Sequence, residues 1–204
     1  MAVSPIKTLF LDIGGVLLTN GWDRHSRRAA AEKFGIGHEE MEERHHLTFA
    51  VYEIGHMTLG DYLRRAVFYQ KRDFSFEEFR LFMFSQSQPY PETIGLMREL
   101  KERNSLRVAA ISNEGRELTQ FRIASFGLDS ICDFFVTSGF VGMRKPDANM
   151  FQLALDLANT APDQAVYVDD RPAFVEMAAG MGFNGVVHIS LEDTRDRLAE
   201  LGIS

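Results

Sequence analysis

A single cysteine among 204 residues, Cys132, excludes a disulfide framework and fits a reducing, cytoplasmic setting. Nothing near it in sequence supplies a base, so Cys132 reads as a small buried hydrophobe rather than a nucleophile. Basic charge is also scarce. Lys and Arg number 22 against 29 Asp and Glu, giving a net charge of −7. That balance argues against nucleic acid, whose binders present a basic face, but leaves room for a small anionic substrate met by a few local cations. No apolar run approaches membrane-span length and no apolar leader opens the chain, so no membrane partner is expected. Low-complexity tracts and internal repeats are missing too. What remains is a chain with 45% hydrophobic residues, enough for a packed core, and long enough for one ordinary domain or a domain with a sizeable insert.

Two textures alternate. Short apolar, β-branched runs ("IKTLFLDI", "LRVAAIS", "ICDFFVTS", "AVYVDD" and "NGVVHIS") read as strands, and their near-continuous apolar character predicts a sheet covered on both faces. Between them lie amphipathic helical stretches. "PETIGLMRELKERN" carries Ile94, Met97 and Leu100 at helical spacing, and "GRELTQFRIASFG" stops at Gly127, a C-cap glycine. The alternation from Leu106 onward predicts βα units and a parallel sheet. From about Thr19 to Gln88 the texture changes: four consecutive helices and no convincing strand, closed by the linker "SQSQPYPE". The expected organisation is an α/β core from residues 1–18 and 89–204, with a helical insert over 19–88 lying as a lid across the strand ends.

Ligands of open α/β sheets sit beyond the carboxyl ends of the strands. The polar residues there are Asp12, then Ser112 and Asn113 in "AAISNEG", then Asp169 and Asp170 in "VYVDDRP", with Lys145 in "GMRKPDANMF". Taken singly, each reads as a turn residue, a helix cap or a surface loop. Together they suit phosphoryl transfer. A carboxylate attacks phosphorus, acidic residues hold Mg²⁺, a hydroxyl bonds phosphate oxygens, and a lysine offsets developing charge.

With those residues in place, the chain resembles the haloacid dehalogenase-like (HAD) hydrolase superfamily. "FLDIGGVLL", "AAISN", "MRKPDANMF" and "VYVDDRPAFVEMAAGMG" look like its four motifs in order, and the insert sits where the family's helical C1 cap belongs. The resemblance implies a Rossmann-like core with a helical-bundle cap, and a nucleophile, Asp12, that forms an aspartyl-phosphate. Ser112, aided by Asn113, would bind the transferring phosphoryl group, and Lys145 would bridge nucleophile and phosphate. Mg²⁺ would be held by Asp12, the main-chain carbonyl of Gly14 and Asp170. Asp169 would support it directly or through another ligand. Gly14 and Gly15 would let the backbone approach phosphate and metal.

The sequence departs from this pattern at Gly14, where phosphatases of the family carry a second aspartate as general acid and base. General acid–base help is typically worth about 10²–10⁴ in rate. Motif four departs as well, with Phe174 four residues after Asp170 and Arg171 beside it; Glu176 is a substitute polar group that helix geometry could equally point to solvent. Three readings stay open: a Mg²⁺-dependent phosphatase of a small phosphate monoester, a 2-haloacid dehalogenase whose halide leaves without a proton, and a weakly catalytic binding or regulatory protein. Asp169–Asp170 favours the first. On the cap side, Trp22 is either a stacking surface for substrate or an anchor of the cap, and His25 is a further substrate contact. His45 and His46 are possible proton carriers, and the aromatic run from Phe74 to Phe84 is cap core. Monomer and homodimer are both compatible with the sequence.

Overall fold

A computed structural model describes residues 5–204, so positions 1–4 of the first core segment lie outside the described residues. Strand β1 (Thr8–Leu11) is followed by four helices, α1 (Arg24–Phe34), α2 (His38–Glu53), α3 (Leu59–Ala66) and α4 (Phe76–Ser85). Then come α5 (Pro91–Asn104), β2 (Arg107–Ser112), α6 (Arg116–Phe126), β3 (Phe134–Thr137), the short α7 (Ser138–Val141) and α8 (Ala148–Ala158). The chain closes with β4 (Ala165–Asp169), α9 (Pro172–Gly180), β5 (Asn184–Val187) and α10 (Leu191–Glu200). All five strands read from sequence are present and all pair in parallel, in the order β3-β2-β1-β4-β5. This is a Rossmann-like sheet flanked by helices.

Strand alternation explains why the runs look apolar throughout. Leu9, Leu11, Val108, Ala110, Val166 and Val168 share one core with Ile94, Met97 and Leu100 of α5 and Leu198 of α10. Their neighbours Phe10, Ala109, Ile111 and Tyr167 face the other way, onto Met150, Phe151 and Ala154 of α8 and Val175 and Ala178 of α9. Both faces are buried, so alternation with polar residues disappears. The chain leaves β1 in one direction toward β2 and β3, then returns to place β4 on its other side. That reversal opens a crevice at the carboxyl end of β1, where Asp12 sits.

The helix ends follow local chemistry. Asp23 caps α1 by accepting from the Ser26 N–H at 2.8 Å, and Ser75 with Glu78 forms a reciprocal capping box on α4. Helix α6 stops at Gly127 in the left-handed region, φ 59°, as read from sequence. Helices α1–α4 bury a separate aromatic core that includes Trp22, Tyr52, Tyr62 and Phe79. It continues onto the sheet domain through α6, where Phe121 stacks on Phe84 at 4.5 Å between ring centroids. The two linkers pair with each other: Leu18 bridges Pro89, and the Thr19 N–H donates to the Gln88 carbonyl at 2.8 Å. No helix among the described residues is long and apolar enough to cross a membrane.

Candidate active site

The ends of β1, β2 and β4 deliver Asp12, Ser112 and Asp169 to one place, and the loop before α8 adds Lys145. Lys145 is 1% exposed and Asp169 fully buried. The ammonium lies 3.0 Å from Asp12 Oδ2 and 2.7 Å from Asp169 Oδ2. It also donates to the Tyr167 hydroxyl at 3.0 Å, and that hydroxyl bonds Asp169 Oδ2. A buried ammonium needs such company, since removing it from water without partners is strongly unfavourable. The remaining Asp169 oxygen accepts from the Arg171 N–H at 2.8 Å. Both oxygens of Asp169 are therefore engaged in holding Lys145 and the loop after β4.

Asp12 is 7% exposed. Burial raises its carboxyl above the usual range, and the charge of Asp169 adds to this. Lys145, by charge and hydrogen bond, and a Ser112 hydrogen bond pull in the opposite direction. The Ile13 N–H donates to Asp12 Oδ1 at 2.7 Å and fixes the side chain over the following turn. In that turn Gly15 has φ 78°, and a Cβ there would meet Asp170 Oδ2 at 2.2 Å. Only glycine lets the backbone pass this close to Asp170.

Above the strand ends, against the helical insert, lies a cavity of about 470 Å³. Asp12, Gly14, Ser112, Asn113 and Lys145 line it from below, and Trp22, His25 and Glu53 from the insert. Several predicted contacts are spent elsewhere. The Asn113 amide donates to the Lys145 carbonyl at 3.0 Å and its oxygen accepts from the Lys145 N–H at 2.8 Å. Its side chain thus positions the lysine loop. Trp22 is 4% exposed; its ring packs edge-on against Phe79 and its N–H donates to the Tyr62 hydroxyl at 2.8 Å. The indole belongs to the core of the insert, because burial and a buried acceptor hold it there. Gly15 and Asp170 line an adjoining groove instead of the cavity. Glu176 is exposed, and Phe174 lies under Lys145, 4.9 Å from ammonium to ring centroid.

Of the two histidines considered as proton carriers, His46 is exposed and His45 is buried in the insert. His45 Nδ1 meets the Tyr62 hydroxyl at 2.9 Å, and burial lowers its pKa to about 3. Cys132 is buried and free, its thiol pushed up to about 12 by burial, as expected of an inert small hydrophobe.

Sequence reasoning missed four residues. Tyr167 was legible in principle, because it sits two residues before Asp169 on the same strand face. Glu114 and Arg122 form a buried ion pair on the cavity wall. The same guanidinium donates to Ser87 Oγ at 3.0 Å and to the Thr19 carbonyl at 2.9 Å, and so grips both linkers of the insert. Glu53, the last residue of α2, reaches the cavity from the insert; its helix has polar residues on every side and so gave no signal.

Ligand atoms of Asp12, Asp169 and Asp170 lie within 4.8 Å of one another. Asp170 Oδ1 is buried without a hydrogen-bond partner, an arrangement that costs free energy unless a cation or water meets it. An all-oxygen acidic set of this kind fits a hard divalent cation.

The family model for haloacid dehalogenase-like hydrolases matches residues 6–182. The chain belongs to this family. HAD relatives include the phosphoserine phosphatase of Thermus thermophilus, 32% identical over 83 residues, which are 41% of this chain and 33% of that protein. Human haloacid dehalogenase-like hydrolase domain-containing protein 3 is 42% identical over 75 residues, 37% of this chain and 29% of that one. The matched stretch spans about a third of the length of these curated relatives. The crystal structure of a HAD family enzyme from Bacteroides thetaiotaomicron, in complex with magnesium and inorganic phosphate, superposes with a TM-score of 0.76 at 20% identity. It covers 89% of this chain and 93% of that one, and carries the fold.

Proposed function

We propose that this HAD hydrolase is a Mg²⁺-dependent phosphatase of small phosphate monoesters that works through an aspartyl-phosphate on Asp12. The observation that carries the reading is the Asp12 carboxylate itself. It stands at the central strand end, faces the cavity beneath the insert and touches Lys145 at 3.0 Å, beside the orphaned oxygen of Asp170. Asp12 attacks phosphorus, the phosphorus–oxygen bond to the leaving group breaks, and water then displaces the phosphoryl group from the carboxylate. Ser112 and Lys145 bond the phosphoryl oxygens as their charge redistributes. Asp169 holds Lys145 in register, with Tyr167 behind it. Asp12, the Gly14 carbonyl and Asp170 are the residues to hold Mg²⁺, with Asp169 supporting them. When bound, the ion offsets negative charge between carboxylates and phosphoryl oxygens and favours the charged form of Asp12. The helical insert serves as the cap that closes over substrate, and the protein works in the cytoplasm.

The test is hydrolysis of an aryl phosphate with and without Mg²⁺. Asp12→Asn is expected to reduce turnover on the order of 10³-fold or more; equal rates for the two proteins would sink the reading. A second reading, 2-haloacid dehalogenase, is favoured by one feature, the missing carboxylate at Gly14, since halide needs no proton. Metal-free release of halide from a 2-haloacid would establish it instead.

A further inference from the structure

Gly14 leaves the reaction without its usual proton carrier, and its surroundings do not replace it. A Cβ at Gly14 would meet Asn20 Oδ1 at 2.9 Å and Arg122 Nη1 at 3.8 Å. The space holds a neutral amide and a permanent cation, neither of which moves a proton near neutral pH. Among the acids and histidines lining the cavity, Asp12 is the nucleophile and Asp23 is committed to the cap of α1. Glu114 has one oxygen on Arg122 and the other on Thr119 at 3.4 Å, and His25 is exposed at the rim. Glu53 remains.

Glu53 is 8% exposed. Its backbone carbonyl accepts from Ser138 Oγ of α7 at 2.8 Å, so the end of α2 is pinned to the sheet domain. Its Oε2 pairs with Arg144 Nη1 at 2.8 Å, a guanidinium that is itself half-exposed and lines the cavity, so this carboxyl is tied to a rim cation and not, like Glu114, to a fully buried one. In an in-line displacement the leaving oxygen points away from Asp12. The cavity that Asp12 faces is lined on its other side by the insert, which contributes Glu53.

We propose that Glu53 is the general acid and base of this site. The inference rests on the phosphatase reading. As Asp12 bonds to phosphorus and the leaving oxygen departs, the Glu53 carboxyl gives its proton to that oxygen and becomes a carboxylate. In the second half it takes a proton from the water that attacks the phosphoryl group on Asp12. Phosphate and free Asp12 carboxylate result, and Glu53 is protonated again. Burial raises its pKa, as a donor requires. Arg144, Arg171 and Lys145 face it and draw the pKa back, and Glu114 adds to the rise.

The experiment compares wild type, Glu53→Gln and Glu53→Gln/Gly14→Asp on nitrophenyl phosphate and on an alkyl phosphate, with folding checked by urea midpoint. Wild type is expected to turn over both. Glu53→Gln is expected to lose about 10²–10⁴ on the alkyl ester. On nitrophenyl phosphate it should release one nitrophenolate per protein in a burst and then stall, because only the base step is missing. The alkaline limb of the wild-type kcat/KM profile should vanish in the variant, and the carboxylate at position 14 should restore alkyl turnover. Wild-type alkyl rates in Glu53→Gln, or an equal loss on both esters with no burst, would overturn the assignment. A wild type inactive on both esters, or indifferent to Asp12→Asn, fails at the earlier step and takes the phosphatase reading down first.

Discussion

The strand-end cluster and the wall that the helical insert sets against it are built on different terms. At the strand ends Lys145 and Asp169 are over-determined: Lys145 touches two carboxylates and a phenol, and Asp169 has both oxygens bonded. The insert instead spends its polar groups on its own interior. Trp22 donates to Tyr62, whose hydroxyl meets His45, and Arg27 grips Glu42 at 2.8 Å. Only a few of its side chains, Glu53 and His25 among them, are left for the cavity. A fixed chemistry is thus paired with a loosely specified surface, a division that lets one fold serve many substrates.

The largest effect is expected where the cluster is broken from within. Lys145→Met leaves Asp12 and Asp169 buried without a counter-charge, and removing one partner of such a set costs about 3–5 kcal/mol. Urea unfolding at neutral pH should show that loss together with loss of turnover. Arg122→Met tests the joint between the two regions. It strands Glu114, whose carboxyl burial already raises, so protonation softens the penalty and about 3 kcal/mol is expected. The guanidinium also bonds both linkers, so proteolysis near Thr19 and Ser87 should accelerate in the same variant. A Trp22→Phe change should cost about 1–2 kcal/mol through the lost hydrogen bond and ring area, and leave KM unchanged. A raised KM at unchanged stability would instead make Trp22 a substrate contact.

These contrasts also explain what could be read from the sequence. Strands buried on both faces announce themselves, and a polar residue ending such a run stands out; hence Asp12, Ser112 and Asp169 were legible, and Lys145 through its motif. Side-chain direction within a helix or loop was not. Asn113 has the right address for phosphate, but its amide is saturated by the backbone of Lys145. Trp22 lines the cavity, yet its ring points into the insert. Glu53 was invisible because α2 distributes charge around its whole circumference, so no face was marked. The Glu114–Arg122 pair joins residues whose significance lies in the linkers they hold, and linker contacts have no sequence period.

The interior of the insert should register in acid. His45 accepts at Nδ1 from the Tyr62 hydroxyl, which itself accepts from Trp22, so a neutral imidazole satisfies the chain. Burial, Arg27 and His46 disfavour its charged form, and only Glu42 opposes them. With the folded pKa near 3 and the unfolded value near 6.5, the unfolded chain binds the extra proton in between. Stability is therefore full above 6.5 and falls as pH drops toward 3. Between pH 7.5 and 5.5 wild type should lose about 1 kcal/mol more than His45→Asn, measured by urea midpoints.

The smallest stability effect belongs to the residue that most cleanly separates the two regions. His25 is exposed in the first turn of α1 and lines the cavity, with no role in the packing of the insert. His25→Ala removes little buried area, so stability should stay within about 0.5 kcal/mol of wild type. If the insert wall, Glu53 apart, selects substrate while the strand ends carry the chemistry, the same change should shift KM severalfold and leave kcat near its wild-type value, because an interaction equal in ground and transition states affects binding alone. A fall in kcat at constant KM would move His25 out of the wall and into the reaction, and the division between the two regions would have to be redrawn there.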